Sequence, residues 1–209
     1  MKNIARYIKE SGEYINDDIK QVLIDKLINA LAEEIYAWYG YFIVCPFMSG
    51  NTQRKEIQEF YEKTADDELN DHAKWLIERI NQLGGSTQKI SSPACLATAK
   101  HPYEMPIFNN NKINIVESLK LNIKNELNAI DTYKDLVEYT AEFDPASNSK
   151  LKEILMDEEE HLNDLQEFLE DITGGDDTHE YVPARRNIAV AYDDEPEYWD
   201  DFDDPLLSM

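Results

Sequence analysis

The chain is poor in the residues that interrupt regular structure, with 7 Gly and 8 Pro among 209 residues. Turn-dense all-β folds need such residues at short intervals. Their scarcity favours helices, as do long uninterrupted stretches of Leu, Ile, Glu, Lys, Asn and Ala. Cysteine is scarcer still. Cys45 and Cys95 are too few for a disulfide framework, although they could pair with each other. Basic side chains are short as well, 20 against 43 acidic ones, for a formal charge of −23. Such a surface repels phosphate backbones, which argues against nucleic-acid binding unless metal ions or a partner intervene, and it attracts cations. Long hydrophobic runs are also missing. The stretch from Met1 to Tyr7 has no apolar core of a secretory signal, and nothing later reaches the length of a membrane span. No membrane contact and a cytoplasmic location are therefore expected.

What is present is a set of long periodic runs. A chain of this length buries roughly 70% of its unfolded surface, enough for one domain with appendages. The expected division is an N-terminal extension over 1–16, an all-α four-helix bundle over 17–175 and an acidic tail over 176–209. Asn16-Asp17-Asp18 caps a first helix that continues to Pro46 or Met48, with Leu23, Leu27, Leu31, Glu34, Trp38, Tyr41 and Cys45 on one stripe. A second helix runs from about Thr52 to Leu83 and ends at Gly84-Gly85. Its inner stripe is Ile57, Tyr61, Ala65, Glu68, His72, Leu76 and Ile80. The break between the two is too short to cross a bundle, so they are antiparallel neighbours. Periodicity is lost from Ser86 to Lys112, which marks a long crossover. The third helix is expected to begin at the end where the first begins.

Asn114 and Glu117 predict a capping box for that third helix, which carries Leu119, Ile123, Glu126, Ile130, Tyr133 and Val137 as far as about Phe143. Asp144-Pro145 opens a fourth, from Pro145 to Thr173, with Leu151, Ile154, Leu155, Glu158, His161 and Leu165 inward and Gly174-Gly175 at its end. Two apolar stripes thus contain a Glu followed seven residues on by a Tyr, Glu34 with Tyr41 and Glu126 with Tyr133. The other two stripes each contain a Glu and a His. Glu34, Glu68, His72, Glu126, Glu158 and His161 would be ruinous to bury empty, and they make sense around two divalent metal ions.

On these residues the sequence resembles the ferritin-like superfamily, in its ferritin, bacterioferritin and Dps-like branches, over about Asp17 to Gly175. The resemblance rests on Glu33-Glu34 with Tyr41, Asp67-Glu68-Leu69-Asn70-Asp71-His72, Asn125-Glu126 with Tyr133, and Asp157-Glu158-Glu159-Glu160-His161. It implies Glu34 and Glu126 as terminal carboxylate ligands, Glu68 and Glu158 as bridging carboxylates, and His72 and His161 as imidazole ligands. Two Fe per chain are implied, with Mn or Zn as substitutes. These six residues would then support oxidation of Fe(II) by O2 or H2O2, for iron storage or peroxide protection, in a homo-oligomeric cage.

One departure stands out. The family pattern is Glu-x-x-His on both motif helices, and this chain has Glu68-x-x-x-His72, which predicts a π-turn that absorbs the extra residue. A Dps-like subgroup carries a cysteine pair near its dimetal centre, and Cys45 with Cys95 is similar; one buried apolar Cys and one unrelated loop Cys is the plainer alternative. Tyr41 and Tyr133 could donate hydrogen bonds to ligands or carry an electron, while packing is the expected role of at least one. Two other readings compete: a metal-free helical interaction module with the tail as its binding segment, and a dimanganese catalase or rubrerythrin-like peroxidase. The tail itself, with Tyr198, Trp199 and Phe202 among its acids, reads as a segment for a partner or a neighbouring subunit.

Overall fold

This computed structural model describes residues 16–48, 52–86, 98–101, 104, 113–174 and 180–181. The chain forms a bundle of four helical rods. The first, α1 (Asp17–Val44), starts where the Asn16 side chain accepts the Asp18 N–H at 2.8 Å, with Asp17 and Asp18 placed against the positive end of the helix dipole. A 3₁₀ turn at Cys45–Phe47, containing Pro46, ends it. The second rod comprises α2 (Thr52–Asp66), a π-helical segment (Asp67–Ala73) and α3 (Lys74–Gln82). After a two-residue strand β1 (Ile113–Asn114) come α4 (Ile115–Thr140) and α5 (Pro145–Gly174). A second short strand, β2 (Glu180–Tyr181), pairs antiparallel with β1. Among the described residues, no helix is long and apolar enough to cross a membrane.

Local chemistry sets the rod ends. At the close of α3, Gly84 adopts φ 80°, its N–H bonds Asn81 O at 3.0 Å and the Gly85 N–H bonds Ile80 O at 2.8 Å, a Schellman closure. Gly85 must stay small, because a Cβ there would stand 2.5 Å from Ile80 Cγ2 and 3.2 Å from Ile24 Cγ2. The capping box before α4 is half formed. Asn114 accepts the Glu117 N–H, while the Glu117 carboxylate takes Lys120 instead. At the head of α5, Asp144 accepts the Ser147 N–H at 3.2 Å, the Ser147 hydroxyl at 2.5 Å and the Arg79 guanidinium at 2.7 Å. The tail of α4 stops at Thr140, short of Phe143, because Asn148 of α5 donates to Val137 O at 2.7 Å and to the Thr140 hydroxyl at 3.0 Å.

The rods run antiparallel to their neighbours. Tyr41 meets Tyr61 edge-on at 5.0 Å near one end, and Ile24 meets Gly85 near the other. The third rod corrects the sequence expectation, for it begins where α1 finishes. Ile115 and Leu119 pack with Tyr41, Val44 and Met48, and the Tyr139 hydroxyl near the end of α4 donates to Ile19 O at 3.2 Å. Because α3 finishes beside the start of α1, a crossover of the bundle's length delivers α4 to the opposite end.

The apolar core is divided. One half gathers Leu23, Leu27, Leu31, Leu76, Ile80, Leu136 and Ile154. The other gathers Tyr41, Val44, Ile57, Tyr61, Leu119 and Leu165. Each fully buried aliphatic side chain contributes about 1.5–3 kcal/mol of transfer free energy. Between the halves lies a polar layer that draws on all four rods. The expectations for residues 1–15, for Cys95 and for the tail beyond its short strand lie outside the described residues.

Candidate metal centre

The polar layer contains the six residues singled out from the sequence. Glu34 from α1, Glu68 and His72 from the π segment, Glu126 from α4, and Glu158 and His161 from α5 are each no more than 3% exposed. Their ligand atoms form two quartets, Glu34–Glu68–His72–Glu158 and Glu68–Glu126–Glu158–His161, each with all its atoms within 4.8 Å of one another. Glu68 and Glu158 belong to both. The π-helix between Asp67 and Ala73 takes up the extra residue, so Glu68 and His72, four apart, both face inward, with His72 Nδ1 3.1 Å from Glu68 Oε2.

Both imidazoles are held the same way. His72 presents Nδ1 to Glu158 Oε1 at 3.2 Å and Glu34 Oε2 at 3.5 Å, while its Nε2 faces Asp157 Oδ2 at 3.4 Å. His161 presents Nδ1 to Glu68 Oε1 at 3.5 Å and Glu158 Oε2 at 3.6 Å, while its Nε2 faces Asp67 Oδ2 at 3.6 Å. Each histidine therefore leans on the aspartate that precedes the glutamate of the opposite rod. Asp67 and Asp157 escaped the sequence reading. The repeated doublets Asp67-Glu68 and Asp157-Glu158 were the signal that could have found them.

The tyrosines are crossed in the same fashion. The Tyr41 hydroxyl on α1 donates to Glu126 Oε1 on α4, and the Tyr133 hydroxyl on α4 donates to Glu34 Oε1 on α1. Packing alone, expected for at least one of them, is thus corrected, because a buried phenol finds its hydrogen-bond partner in the nearest carboxylate. Burial pushes the Tyr133 hydroxyl well above its ordinary value, and the Glu34 and Glu158 charges push it further, so it stays a donor.

Four carboxylates cannot all ionise in so dry a space. Burial, then the Glu68 and Glu158 charges, hold Glu34 well above the usual carboxylate range; burial, then Glu158 and Glu68, do the same to Glu126. Burial also acts against ionised Glu68 and Glu158, yet contacts with Glu34 and the two imidazoles for Glu68, and with the imidazoles for Glu158, outweigh it and hold both low. His72 and His161 are correspondingly raised, since burial is outweighed by the carboxylates around them, Asp157 first for His72 and Asp67 first for His161. The metal-free layer thus reads as two carboxylic acids, two carboxylates and two imidazolium ions.

Those charges balance, but the hydrogen bonds do not. Glu68 Oε1, both oxygens of Glu158 and His161 Nδ1 are buried without a correctly aimed hydrogen bond, although charged neighbours lie within 3.6 Å. In each quartet the ligand atoms crowd within 4.8 Å of one another, closer than repelling oxygens stay without something to bind. That donor set, oxygen-rich with one imidazole nitrogen in each quartet, fits two divalent first-row ions. Cys45 stands apart as a buried free thiol directed at Gln58 O and the Glu62 carboxylate, its pKa pushed up to about 12 by burial and then by the Glu62 charge.

A family model described as Ferritin, ferritin-like domain, matches residues 24–174. No curated protein sequence matches the chain significantly. Among solved structures, the chain is similar to a dodecameric thioferritin, the bacterioferritin-related protein of Bacteroides fragilis, at 29% identity and a TM-score of 0.66, over 81% of this chain and 95% of that one. A ferritin-like, diiron-carboxylate protein of Bacillus anthracis str. Ames matches at 26% identity and a TM-score of 0.56, over 74% and 99% of the two chains. An archaeal Dps homologue from Halobacterium salinarum shares the fold at 21% identity and a TM-score of 0.65, over 75% and 84%.

Proposed function

The chain belongs to the ferritin-like domain family, and on that footing we propose that it binds two iron ions in the polar layer and oxidises Fe(II) with O2 or H2O2. The purpose is iron storage or peroxide protection. The observation that carries this reading is the pair of quartets sharing Glu68 and Glu158. Iron bound there supplies the electrons that the oxidant takes up. The chain's own residues divide the remaining work. Glu68 and Glu158 lie between the two positions, while Glu34 and Glu126 close one side each, aimed by the hydroxyls of Tyr133 and Tyr41. Asp157 accepts from His72 Nε2 and Asp67 faces His161 Nε2, which turns each Nδ1 lone pair inward once its proton has left. Both aspartates are partly exposed, at 43% and 34%, and each remains beside the Nε2–H of its histidine after the Nδ1 proton has left.

Assembly of several copies is part of the proposal. Phe42 is 59% exposed and Tyr39 45%, and Trp38 stacks on Phe42 at 5.7 Å, an apolar stripe on the outer face of α1 that suits burial against another copy. Aerobic addition of ferrous iron, followed in the near ultraviolet, tests the chemistry. Oxidation faster than in buffer is expected, together with a large assembly by size-exclusion mass measurement that holds two irons per chain. Oxidation no faster than buffer, with an unchanged melting temperature on adding Fe or Mn, overturns the reading.

A further inference from the structure

The polar layer uses one ring nitrogen of His72, and the other nitrogen has a rival use. Asp71, His72 and Asp157 bring one ligand atom each within 4.8 Å of one another on the outer side of the ring, where Nε2 faces Asp157 Oδ2 at 3.4 Å. Two carboxylates and an imidazole suit the same first-row dications as the quartets do. Among the described residues, no such trio gathers outside His161; Glu160, which precedes it as Asp71 precedes His72, is exposed and stays apart. One imidazole cannot serve both places. Bound through Nδ1 on the inside, His72 keeps its Nε2 proton and donates it to Asp157. Bound through Nε2 on the outside, it keeps the Nδ1 proton, aimed at the Glu34, Glu68 and Glu158 oxygens. Outer binding therefore takes from the His72 quartet its only imidazole.

Lys150 of α5 stands at this trio. Its Nζ donates across to Asp71 Oδ2 in the π segment at 2.9 Å and lies 3.6 Å from Glu153 Oε2 on its own helix. Burial works against the ammonium charge, but Asp71, then Glu153 and Asp157, outweigh it and hold the pKa up. Both carboxylates of the trio thus already have a cation, Asp71 by a hydrogen bond and Asp157 through space. The other half of the centre lacks this arrangement. Lys63, the partner of Asp67, is 3.8 Å away and 64% exposed, against 23% for Lys150. The half-buried lysine is found where the rival trio is. Holding two rods together is a poor reason for it, because ion pairs at the surface add little to folding.

We propose that Lys150 is a positioning residue for the dinuclear centre: its ammonium takes up the charge of Asp71 and Asp157, denies a dication the place between them and His72 Nε2, and so commits His72 to the inner position through Nδ1. A dication in that place would meet an ammonium of like sign within a few ångströms, in a partly buried setting where water screens little. The inference rests on the dinuclear reading above, since it concerns which nitrogen of His72 that centre receives.

Anaerobic cobalt(II) binding to the full chain, measured by equilibrium dialysis and located by anomalous diffraction, is the test. The wild type is expected to hold one ion in each quartet and none between Asp71 and Asp157. Lys150→Met keeps the stem and removes the charge. It is expected to place cobalt on Asp71, His72 Nε2 and Asp157 and to weaken the His72 quartet about 10–100-fold, and Lys150→Gln should do the same with a polar end. Lys150→Arg should load as the wild type does. Asp71→Asn breaks the same ion pair but also removes a ligand of the trio, so it too should load normally; unchanged helicity shows that each variant folds. Neutral variants at 150 with both quartets filled at wild-type affinity overturn this inference and leave the dinuclear reading standing. So does an Asp71→Asn protein weakened as much as Lys150→Met, which makes the ion pair a mere tie between rods, or a wild type with cobalt in the outer trio. No cobalt in either quartet of the wild type overturns both.

Discussion

Glu34 and Glu68 are both buried carboxylates of one quartet, yet replacing them should have opposite consequences for the metal-free protein. Glu34 is held in its acid form by burial and by the Glu68 and Glu158 charges, and Oε1 accepts from the Tyr133 hydroxyl. Glutamine has the shape and neutrality of that acid and still offers a carbonyl to Tyr133. Glu34→Gln should therefore change metal-free stability by no more than about 1 kcal/mol. Glu68 is ionised between His72 and His161. Glu68→Gln leaves imidazolium charge without its counterpart in a dry layer and should cost about 3–5 kcal/mol. Metal binding treats the two alike. A ligand at about 1,000 times its dissociation constant adds about 4 kcal/mol, and about 2–4 °C per kcal/mol for a chain of this size makes a rise of about 8–16 °C in Tm. Both variants should lose most of that rise. The assay is thermal unfolding, chelated and with Mn(II), for the wild type and the two variants. A Glu34→Gln protein destabilised as much as Glu68→Gln when metal-free would refute the protonation pattern. A full Mn(II)-induced rise in Glu34→Gln would refute Glu34 as a ligand.

Tyr133→Phe removes the donor that orients Glu34 and should weaken metal binding about 10–100-fold, read by Co(II) titration, at a stability cost of about 1–3 kcal/mol. Deleting Leu69 should let the second rod rewind as continuous α-helix with Glu68 and the histidine three apart, because the π-turn already keeps both flanks in register without that residue; a deletion protein with no metal-induced rise in Tm would show that the π-turn itself aims Glu68. Asp144 provides the pH test. Burial raises its pKa, but bonds from Ser147 and Arg79 outweigh this and hold it low, so its contribution is complete above the unfolded value of about 3.9 and fades as pH falls through the lower folded value. Denaturant unfolding from about pH 6 to about pH 2 should show Asp144→Ala weaker by about 1–2 kcal/mol at the upper end, with the gap closing at the lower; a gap independent of pH would remove the charge from the explanation.

The sequence carried the rods and the six central residues because both are written locally. Apolar spacing of three and four set the stripes, and Asn16, Asp144 and Gly84 set the ends. Even the π-turn was legible, as a Glu and a His one residue too far apart on a stripe that otherwise kept its phase. What stayed hidden depends on pairing between rods. Tyr41 points across to Glu126 rather than back to Glu34, its own-rod neighbour, and no spacing within α1 says so. Asp67 and Asp157 were given no role of their own because their partner imidazoles lie on the opposite rod. The starting end of α4 was misjudged because it follows from where the crossover travels, not from the helix's own residues. Glu33 entered only as part of a motif, without a role of its own, for a similar reason: its neighbours His101 and Thr132 are far away in sequence.

Two carboxylates that belong to both quartets have a thermodynamic consequence. An ion entering either position must first release the imidazolium partners of Glu68 and Glu158 and settle their oxygens into one arrangement. The settling of Glu68 and Glu158 is needed once, and a second ion meets these two already aimed, with only its own histidine and terminal glutamate left to deprotonate. Loading is therefore expected to be cooperative, with half-filled chains rare at intermediate metal concentration, because the first ion's binding changes the affinity left for the second. Under the proposed reaction, a centre that fills as a unit would keep the oxidant from meeting one reducing ion without its companion.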